Sequence, residues 1–252
     1  MKKQWLGMMM VVVGLAGLAS AAMVAQEDFE GCSVGSLPGQ GSGSGWSGNW
    51  TAEGWAQNAQ VADDNGNQFA QTGNSTGNQH SVNYRLLGST INSGTVYFSA
   101  KVLLTASCDG AELKLCNSSD GNVRAQIGTI AGEGFRVQLN GELSDTGTGM
   151  FSLNTILTMV GKLTYLSEGG ATMDMWVDPT GVETGGLHYS VTDAGFSSSL
   201  DQFCFQTWSQ PSTTVFDDIK IGTTWADVAV PEPATMSLLA VGGLGILLRR
   251  KR

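Results

Sequence analysis

The feature that most constrains the fold is a series of short runs rich in Val, Ile, Thr and aromatic residues. Clusters of Gly, Asn, Ser and Asp separate these runs, which is the pattern of β-strands joined by turns. Between residues 26 and 228 no long stretch carries apolar residues at helical spacing. The clearest predicted strands are 81–87 (SVNYRLL), 95–105 (TVYFSAKVLLT), 111–116 (AELKLC), 123–130 (VRAQIGTI), 134–140 (GFRVQLN), 155–166 (TILTMVGKLTYL), 171–178 (ATMDMWVD), 202–208 (QFCFQTW) and 215–221 (VFDDIKI).

Turn signals between these strands, such as Asp120-Gly121 and Asn140-Gly141, favour direct antiparallel connections. About ten to twelve short strands without crossover helices predict an all-β domain of two packed sheets. The Gly/Ser-rich stretch 35–48 is expected to be a surface loop within that domain. We therefore predict one β-sandwich domain over 26–229, with no internal repeat.

The first 25 residues have the three-part layout of a secretory signal peptide. Two lysines form a positive region, residues 6–18 form a short apolar core, and a run of small residues follows. We predict a signal helix over 1–25 that signal peptidase removes, so that the mature chain begins between Ala22 and Gln26. The alternative is an uncleaved membrane anchor, which the short apolar core disfavours.

The C-terminal 23 residues have a different three-part layout. Residues 234–248 form an apolar run that is shorter than the roughly 20 residues a helix needs to cross the hydrocarbon core. Positive flanks stay on the cytoplasmic side, so the body of the protein is expected outside. We predict a single hydrophobic helix that holds the chain in the inner membrane temporarily. The motif before it is Pro231, Glu232 and Pro233, and the basic stop signal after it is Arg249, Arg250, Lys251 and Arg252.

This order of motif, apolar segment and basic cluster resembles the PEP-CTERM sorting signal of Gram-negative bacteria. The resemblance covers residues 230–252. It implies that an exosortase, a membrane-embedded cysteine protease, processes the tail at or near the motif, in a host that makes exopolysaccharide. The implied processing partners are signal peptidase and exosortase. The implied destination, after transient anchoring, is the cell surface or extracellular matrix.

The charge of the exported part excludes several classes of partner. The whole chain has 13 Lys plus Arg and 22 Asp plus Glu. Removing the two signals removes six cations and one anion, which leaves 7 against 21, a net charge of −14. Such a surface repels nucleic acid and anionic lipid, so neither is an expected partner. It is compatible with divalent cations.

Four cysteines remain in the exported part: Cys32, Cys108, Cys116 and Cys204. An even number in an exported chain favours two disulfides. Three pairings are open. One of them joins Cys32 to Cys204 near the two ends of the domain and leaves Cys108 to pair with Cys116. The alternative is buried free thiols, and the absence of a CxxC spacing disfavours zinc and redox chemistry.

Several motifs within the domain resemble those of exported bacterial jelly-roll domains. An opening strand that carries 28–31 (DFEG) and a closing strand at 216–222 (FDDIKIG) resemble the two ends of such domains. The motifs 160–162 (VGK), 174–179 (DMWVDP) and 222–225 (GTTW) are similar to laminin-G-like, concanavalin A-type domains that carry this sorting tail. The resemblance implies an antiparallel jelly-roll β-sandwich.

No catalytic constellation is evident. His80 and His188 lie in polar surroundings without a G-x-S-x-G elbow, and we expect both to be exposed. Glycoside hydrolysis requires two carboxylates flanking one bond. The nearest pair, Asp174 and Asp178 with Trp176 between them, lacks the closely alternating acids of glucanases, and Asp178 is better explained as a turn residue. The chain is therefore not expected to be an enzyme.

Two binding sites are candidates. A structural calcium ion would suit Asp28, Glu30, Asp217 and Asp218, because the terminal strands that carry them are expected to pair; otherwise these are ordinary surface carboxylates. A glycan platform would suit Trp46, Trp50 and Trp55, because sugar rings stack on aromatic faces. The alternative for this trio is burial in the core.

Together these features predict an exported, non-enzymatic β-sandwich with a structural or adhesive role, acting through extracellular polysaccharide in the envelope or biofilm matrix. The alternatives are a polysaccharide-degrading enzyme of the same fold, either hydrolase or lyase, and a scaffold without a ligand.

Overall fold

The structure is a computed structural model that describes residues 22–53, 56–72, 80–105, 110–130, 134–147, 152–179, 183, 186–208 and 213–229. The predicted C-terminal hydrophobic helix and all but the last four residues of the predicted signal segment lie outside these ranges. Within the described residues, no helix is long and apolar enough to cross a membrane.

The described residues form 16 strands and one short helix. The strands are β1 (Met23–Glu27), β2 (Gly35–Ser36), β3 (Trp46–Ala52), β4 (Gln60–Asp64), β5 (Asn67–Thr72), β6 (Ser81–Ile91), β7 (Thr95–Leu104), β8 (Gly110–Cys116), β9 (Val123–Ile130), β10 (Gly134–Leu139), β11 (Glu142–Gly147), β12 (Ile156–Tyr165), β13 (Ala171–Val177), β14 (Leu187–Asp193), β15 (Leu200–Trp208) and β16 (Thr214–Gly222), and the helix is α1 (Trp225–Ala229).

The strands form two antiparallel sheets. The nine-stranded sheet has the order β14-β13-β12-β7-β16-β5-β4-β2, with β1 also paired to β16. The seven-stranded sheet has the order β11-β10-β9-β8-β15-β6-β3. The prediction of an all-β, two-sheet antiparallel sandwich is confirmed, and all nine predicted strands are present.

Two details of the prediction are wrong. The chain has more strands than the ten to twelve expected. Strand β5 (NQFAQT) is mostly polar and gave little apolar signal, whereas β14 (LHYSVTD) has an alternation of Leu187, Tyr189 and Val191 that the prediction did not use. The stretch 28–31 is a turn, not part of the opening strand, and Phe29 adopts a φ of 62° there. Strand β1 ends before it, at Glu27.

The core lies between the sheets and follows the period of two along each strand. On β8, Leu113 and Leu115 are fully buried in it, while the intervening side chains point to the outer face. Aromatic rings join the two layers, since Phe205 on β15 and Phe216 on β16 lie 4.7 Å apart between ring centroids. The inner faces of both sheets therefore form one continuous hydrophobic core.

The two ends of the domain lie side by side. Met23 on β1 pairs with Gly222 on β16, so the predicted domain boundary at residue 26 falls inside a strand.

The Gly/Ser-rich loop is held closely against β1. A Cβ on Gly43 would lie 1.9 Å from the carbonyl oxygen of Gln26, and the φ of +68° also favours glycine.

A buried ion pair joins the sheets near this edge. Arg85 on β6 lies 2.6 Å from the carboxylate of Glu27 on β1, and both side chains are almost fully buried. Arg85 also donates to the carbonyl oxygens of Gly48 and Ser42, each at 2.8 Å. Glu27 accepts hydrogen bonds from the backbone N–H of Phe29 and from the indole of Trp50. The pair thus fixes the loops around it.

The C-terminal helix covers part of the outer face of the nine-stranded sheet. Val228 of α1 is buried against Tyr97, Val160 and Trp176. The Ser99 hydroxyl donates to the carbonyl oxygen of Val228 at 3.0 Å. The last described turn of the chain is therefore packed on the domain.

The predicted disulfides are not formed, because Cys32, Cys116 and Cys204 are free and buried. Cys32 lies in the core between the sheets, whereas Cys204 faces outward from the seven-stranded sheet with Cys116. Cys204 is opposite Lys114 rather than opposite Cys116, so the two cysteines are diagonal neighbours, at a spacing of about 7–8 Å that exceeds the usual disulfide range. Cys108 lies outside the described residues.

Candidate functional site

A cluster of buried polar side chains lies on the outer face of the seven-stranded sheet. Glu112 and Lys114 are each 3% exposed, although Glu and Lys are almost never buried unless paired. We call the group the outer-face cluster, and its members are Glu112, Lys114, Gln126, Gln206 and Trp208.

Strand register brings the members of the outer-face cluster together. Glu112 and Lys114 are two residues apart on β8, so both point to the same face. Gln206 on β15 is opposite Glu112, and Gln126 on β9 is opposite Lys114. On the far side of Glu112 the partner is Gly128, where a Cβ would lie 2.9 Å from Cγ of Glu112. This glycine leaves room for the carboxylate.

The carboxylate of Glu112 is the centre of the cluster. It accepts hydrogen bonds from the amide of Gln126 at 2.6 Å and from the indole N–H of Trp208 at 2.6 Å. Nζ of Lys114 lies 2.8 Å from it. Three donors therefore compensate the charge that burial would otherwise penalise.

Lys114 has a second acceptor and an aromatic neighbour. Its Nζ donates to Oε1 of Gln206 and lies 5.7 Å from the ring centroid of Trp208, within cation–π range. The ring of His80 contacts the same Trp208 edge-on, with 4.5 Å between centroids. His80 is half-buried against this indole, so the expectation that it is exposed is wrong.

Beside the cluster, the same face carries an open groove of about 540 Å³. It is bounded by β3 and β6 on one side and by the turn after β8 on the other. Its described lining is Ser47, Gly48, Asn49, Thr51, Glu53, Tyr84, Leu86, Ser118, Gly121 and Gln202.

A single cross-strand row connects the groove to the cluster. Tyr84 is opposite Cys204, Cys204 is opposite Lys114, and Lys114 is opposite Gln126. With about 4.8 Å between neighbouring strands, Tyr84 lies roughly 10 Å from Lys114. The groove and the cluster are thus parts of one surface.

The cysteines between them are unreactive. Burial raises the pKa of the Cys116 thiol to about 12, and Lys114 opposes the shift only partly. Burial raises the pKa of Cys204 as well. Because the thiolate is the nucleophilic form, neither group is suited to act as a nucleophile.

The structure does not place Trp50 in the predicted tryptophan platform. Trp50 is 1% exposed and packs in the core against Phe29 and Phe205, so the alternative of burial holds. Trp46 is partly buried, and its indole donates to the carbonyl oxygen of Gln26 at 2.8 Å. Trp55 lies outside the described residues.

The four calcium candidates have separate partners. Asp28 accepts from the backbone N–H of Glu30, and Glu30 from that of Gln68. Asp217 accepts from the backbone N–H of Asp218, whose own carboxylate pairs with Lys101. Among the described residues, no group of three or more His, Cys, Asp or Glu is placed to hold a metal ion. Calcium at this set stays a prediction without a preformed ligand group.

The pair considered for hydrolysis lies on the other sheet. Asp174 contacts Nε2 of His188 at 3.0 Å, and this imidazole stacks on Trp176 with 4.7 Å between centroids. Asp178 accepts from the backbone N–H of Thr158 and has a φ of 46°, as suits a turn residue. Neither carboxylate faces the groove.

The sorting motif Pro231, Glu232 and Pro233 and the basic residues 249–252 lie outside the described residues, but the sequence there is decisive. Residues 229–252 match the model of the PEP-CTERM protein-sorting motif. The chain ends in a PEP-CTERM sorting motif. The motif marks proteins that are exported and sorted through the membrane in Gram-negative bacteria, with processing by exosortase-type machinery.

The domain is similar in structure to several solved proteins. The endo-beta-1,4-glucuronan lyase of the fungus Trichoderma reesei aligns with a TM-score of 0.51 and 14% identity, over 82% of this chain and 98% of that one. A sialidase aligns with a TM-score of 0.51 and 13% identity, over 89% of this chain and 21% of the sialidase. A carbohydrate-binding module of Bacillus subtilis aligns with a TM-score of 0.43 and 14% identity, over 68% and 94%.

At these identities the likeness shows the fold alone, a jelly-roll β-sandwich. No curated protein matches the chain in sequence.

Sequence reasoning missed the outer-face cluster. The segment 111–116 (AELKLC) shows a Glu and a Lys on one face of a strand, but this pattern is also that of a solvated face. The signal that could have found it is Trp208, which lies at the end of a strand on the same face as Gln206.

Proposed function

We propose that the protein is an exported β-sandwich that binds an extracellular polysaccharide in the groove of the seven-stranded sheet, without cleaving it. The observation that supports this is the groove itself, which is open and whose described lining includes the Tyr84 ring and hydroxyl, amide and carboxylate groups. The sorting motif is a further support, since it indicates export in Gram-negative bacteria and the resemblance implies a host that makes exopolysaccharide.

The lining has the chemistry that sugars require. The face of a sugar ring packs on an aromatic ring such as Tyr84. Its hydroxyl groups exchange hydrogen bonds with the amides of Asn49 and Gln202, each of which can donate and accept. They also donate to the Ser118 hydroxyl oxygen, whose own proton goes to Asp201. An open groove, rather than a closed cavity, admits a polymer along its length.

Charge selects among polysaccharides. Glu53 is the one charged side chain among the described residues that line the groove. The exported part also has a net charge of −14, from 7 Lys plus Arg and 21 Asp plus Glu. An acidic glycan would be repelled, so we expect the groove to prefer a neutral polysaccharide. The resulting role is structural or adhesive at the cell surface or in its matrix.

The test is depletion of the purified mature protein from solution by insoluble or immobilised polysaccharides, including neutral, acidic and host-derived polymers. Binding to a neutral polymer that falls at least about tenfold in Gln202→Ala or Tyr84→Ala is expected, since each loses contacts on the order of 1.4 kcal/mol or more. Gln60→Ala, an exposed glutamine on β4 of the other sheet, is the matched control. Equal binding by Gln202→Ala, Tyr84→Ala and the control would contradict the groove assignment.

A second candidate, a polysaccharide-degrading enzyme, is favoured by one observation. The outer-face cluster holds a carboxylate, an ammonium and two amides within reach of one another, and such groups can move a proton and stabilise developing charge. The name of the structurally similar fungal protein, a glucuronan lyase, belongs to the same class of chemistry. The full hydrogen bonding of Glu112 within the cluster favours the non-enzymatic proposal.

The same binding reactions, assayed for cleavage products, decide between binding without cleavage and enzymatic degradation. New reducing ends would indicate chain cleavage, and ultraviolet absorbance from a new carbon–carbon double bond would identify it as a lyase reaction. Activity that disappears in Glu112→Gln while the fold is retained would replace the binding proposal. Depletion without new chain ends supports it.

A further inference from the structure

The outer face of the nine-stranded sheet carries a second, smaller pocket of about 220 Å³. It lies on the side of the sandwich opposite the groove, so a ligand bound here is independent of the proposed function. Three aliphatic side chains from adjacent strands form one wall. Leu103 on β7 is opposite both Ile156 on β12 and Val215 on β16, which places the three in a single cross-strand row.

The other wall of the pocket is polar and acidic. Asp217, two residues after Val215 on β16, points to the same face. Asp64 and Asn67 face it from the β4–β5 hairpin. Phe69 on β5 completes the lining with an aromatic ring. The pocket therefore combines an apolar body with carboxylates at one end.

The cation nearest to Asp217 is already engaged. Lys101 on β7 is opposite Asp217 in register, but its Nζ pairs with the carboxylate of Asp218. A bulge after Asp217 makes this possible, since the register shifts there and Asp218 adopts a φ of 50°. The lining of the pocket thus carries two carboxylates, Asp64 and Asp217, and one ammonium, Lys101, whose charge is paired with Asp218.

The environment of Asp217 fits this shortage of positive charge. Burial, with a further contribution from Asp218, raises the pKa of Asp217 to about 6, although the backbone N–H of Asp218, Asn67 and Lys101 oppose the shift. A half-buried carboxylate in a mainly apolar pocket is a usual sign of a binding site. Lys101 supplies only part of the positive charge that would stabilise the ionised form of Asp217, since its ammonium pairs with Asp218.

We propose that this pocket binds a small organic cation, an ammonium group on an apolar body of about eight to ten heavy atoms. The ammonium lies against Asp217 and Asp64, and the apolar body lies along Ile156, Leu103 and Val215. Phe69 adds an aromatic face that attracts the same cation. A cation with a polar body, such as an amino sugar, would not use the aliphatic wall.

The test is a calorimetric and NMR titration of the purified mature protein with benzylamine. Binding is expected with a Kd on the order of 1 mM, with shifts at the backbone amides of Val215 and Asp217. Benzyl alcohol, which has the same shape without the charge, should bind at least about tenfold more weakly, as should glucosamine. Binding of benzyl alcohol as tight as that of benzylamine would overturn the proposal.

Two variants locate the site. Asp217→Asn should weaken benzylamine at least about tenfold, and Val215→Phe should block the pocket without changing its charge. Asp174→Asn makes the same change elsewhere on this outer face. This control variant should bind benzylamine with the affinity of the parent protein. If Asp217→Asn and the control bind alike, the site is elsewhere. Each variant is accepted only if its melting temperature stays close to that of the parent.

The pH dependence of benzylamine affinity is an independent test of the role of Asp217. Benzylamine stays protonated between pH 5 and pH 8, so the change in affinity over that range reports Asp217. Affinity should be constant above pH 7 and should fall as the pH drops below about 6, by up to about tenfold for each pH unit.

A titration with Ca²⁺ in the presence of benzylamine is the last experiment. Calcium that displaces benzylamine at micromolar concentration would overturn the proposal in favour of a metal site.

Discussion

Two buried ion pairs of this protein differ in what surrounds them. Glu27 and Arg85 lie between the sheets, and their remaining hydrogen bonds go mainly to backbone groups of the surrounding loops. Glu112 and Lys114 lie on the outer face of one sheet, and their remaining hydrogen bonds go to the side chains of Gln126, Gln206 and Trp208.

The difference determines how each site responds to change. A backbone carbonyl or N–H at a fixed position cannot turn to another partner when its own partner is lost. A glutamine amide can rotate and find another. The pair between the sheets therefore behaves as a fixed part of the architecture, whereas the outer-face cluster is a network that can rearrange.

The largest effect is expected from Arg85→Met. The change leaves Glu27 buried without its cation and removes the donor from the carbonyl oxygens of Gly48 and Ser42. We expect a loss of about 3–5 kcal/mol in the free energy of unfolding. Urea unfolding of the mature protein measures it, and a loss below about 1 kcal/mol would contradict the structural role of this pair.

Lys114→Met makes the equivalent change on the outer face and should cost less, about 2–3 kcal/mol. Both carboxylates keep other donors, Gln126 and Trp208 for Glu112 and Phe29 and Trp50 for Glu27. The difference is that Lys114→Met leaves no backbone carbonyl without its donor, and the Gln206 amide can turn toward Glu112. The same urea experiment compares the two variants. If both lose equal stability, the distinction between backbone and side-chain partners does not hold.

Trp208→Phe sharpens the comparison by removing one donor from Glu112 while keeping most of the aromatic ring. We expect a loss of about 1–2 kcal/mol, at the low end for a hydrogen bond to a charged group because Trp208 is only partly buried. Lys114 should remain paired. A fall in stability as large as that of Lys114→Met would show that the indole stabilises the carboxylate as much as the ammonium does.

The smallest effect is expected at a third charge, Asp217, which lacks a cation of its own. Its pKa in the folded protein is about 6, above the ordinary 3.8, so the folded state binds the proton more tightly than the unfolded state. Stability should therefore fall as the pH rises from about 4 to about 6.

Asp217→Asn should remove this pH dependence. At pH 7 we expect the variant to be more stable than the parent by about 1 kcal/mol, a value reduced because the carboxyl is partly exposed. Melting temperatures at pH 4 and pH 7 measure both effects. Identical pH profiles for the two proteins would be the contrary result.

The strands of this fold could be predicted from sequence because β-branched and aromatic residues concentrate between turn signals. The polar strand β5 could not be predicted, because it is held by pairing with β4 and with the distant strand β16. Strand β14 could have been predicted, since Leu187, Tyr189 and Val191 alternate along it and it pairs with the preceding strand β13. The limit seen at β5 also applies to the site. Glu112 and Gln206 are separated by more than 90 positions, and only the adjacency of β8 and β15 makes them partners.

The tryptophans show the limit most clearly. Trp46 and Trp50 suggest a platform because they cluster in a polar stretch, yet β3 turns Trp50 into the core. Trp208 lies within a predicted strand, which favours the core, yet it lies on the outer face against Glu112. Clustering along the chain indicates aromatic density, but the orientation of each ring depends on strand register, which local composition does not encode.

The position of β16 has a kinetic consequence. It is the last strand of the described chain, yet it lies in the interior of its sheet, between β7 and β5, and also carries β1. A chain emerging from its N-terminus therefore holds three unfinished edges open until residues 214–222 arrive. The final strand completes the sheet within a few residues of the sorting motif, which begins at 229. The three unpaired edges are therefore open to aggregation and proteolysis until almost the whole domain has emerged.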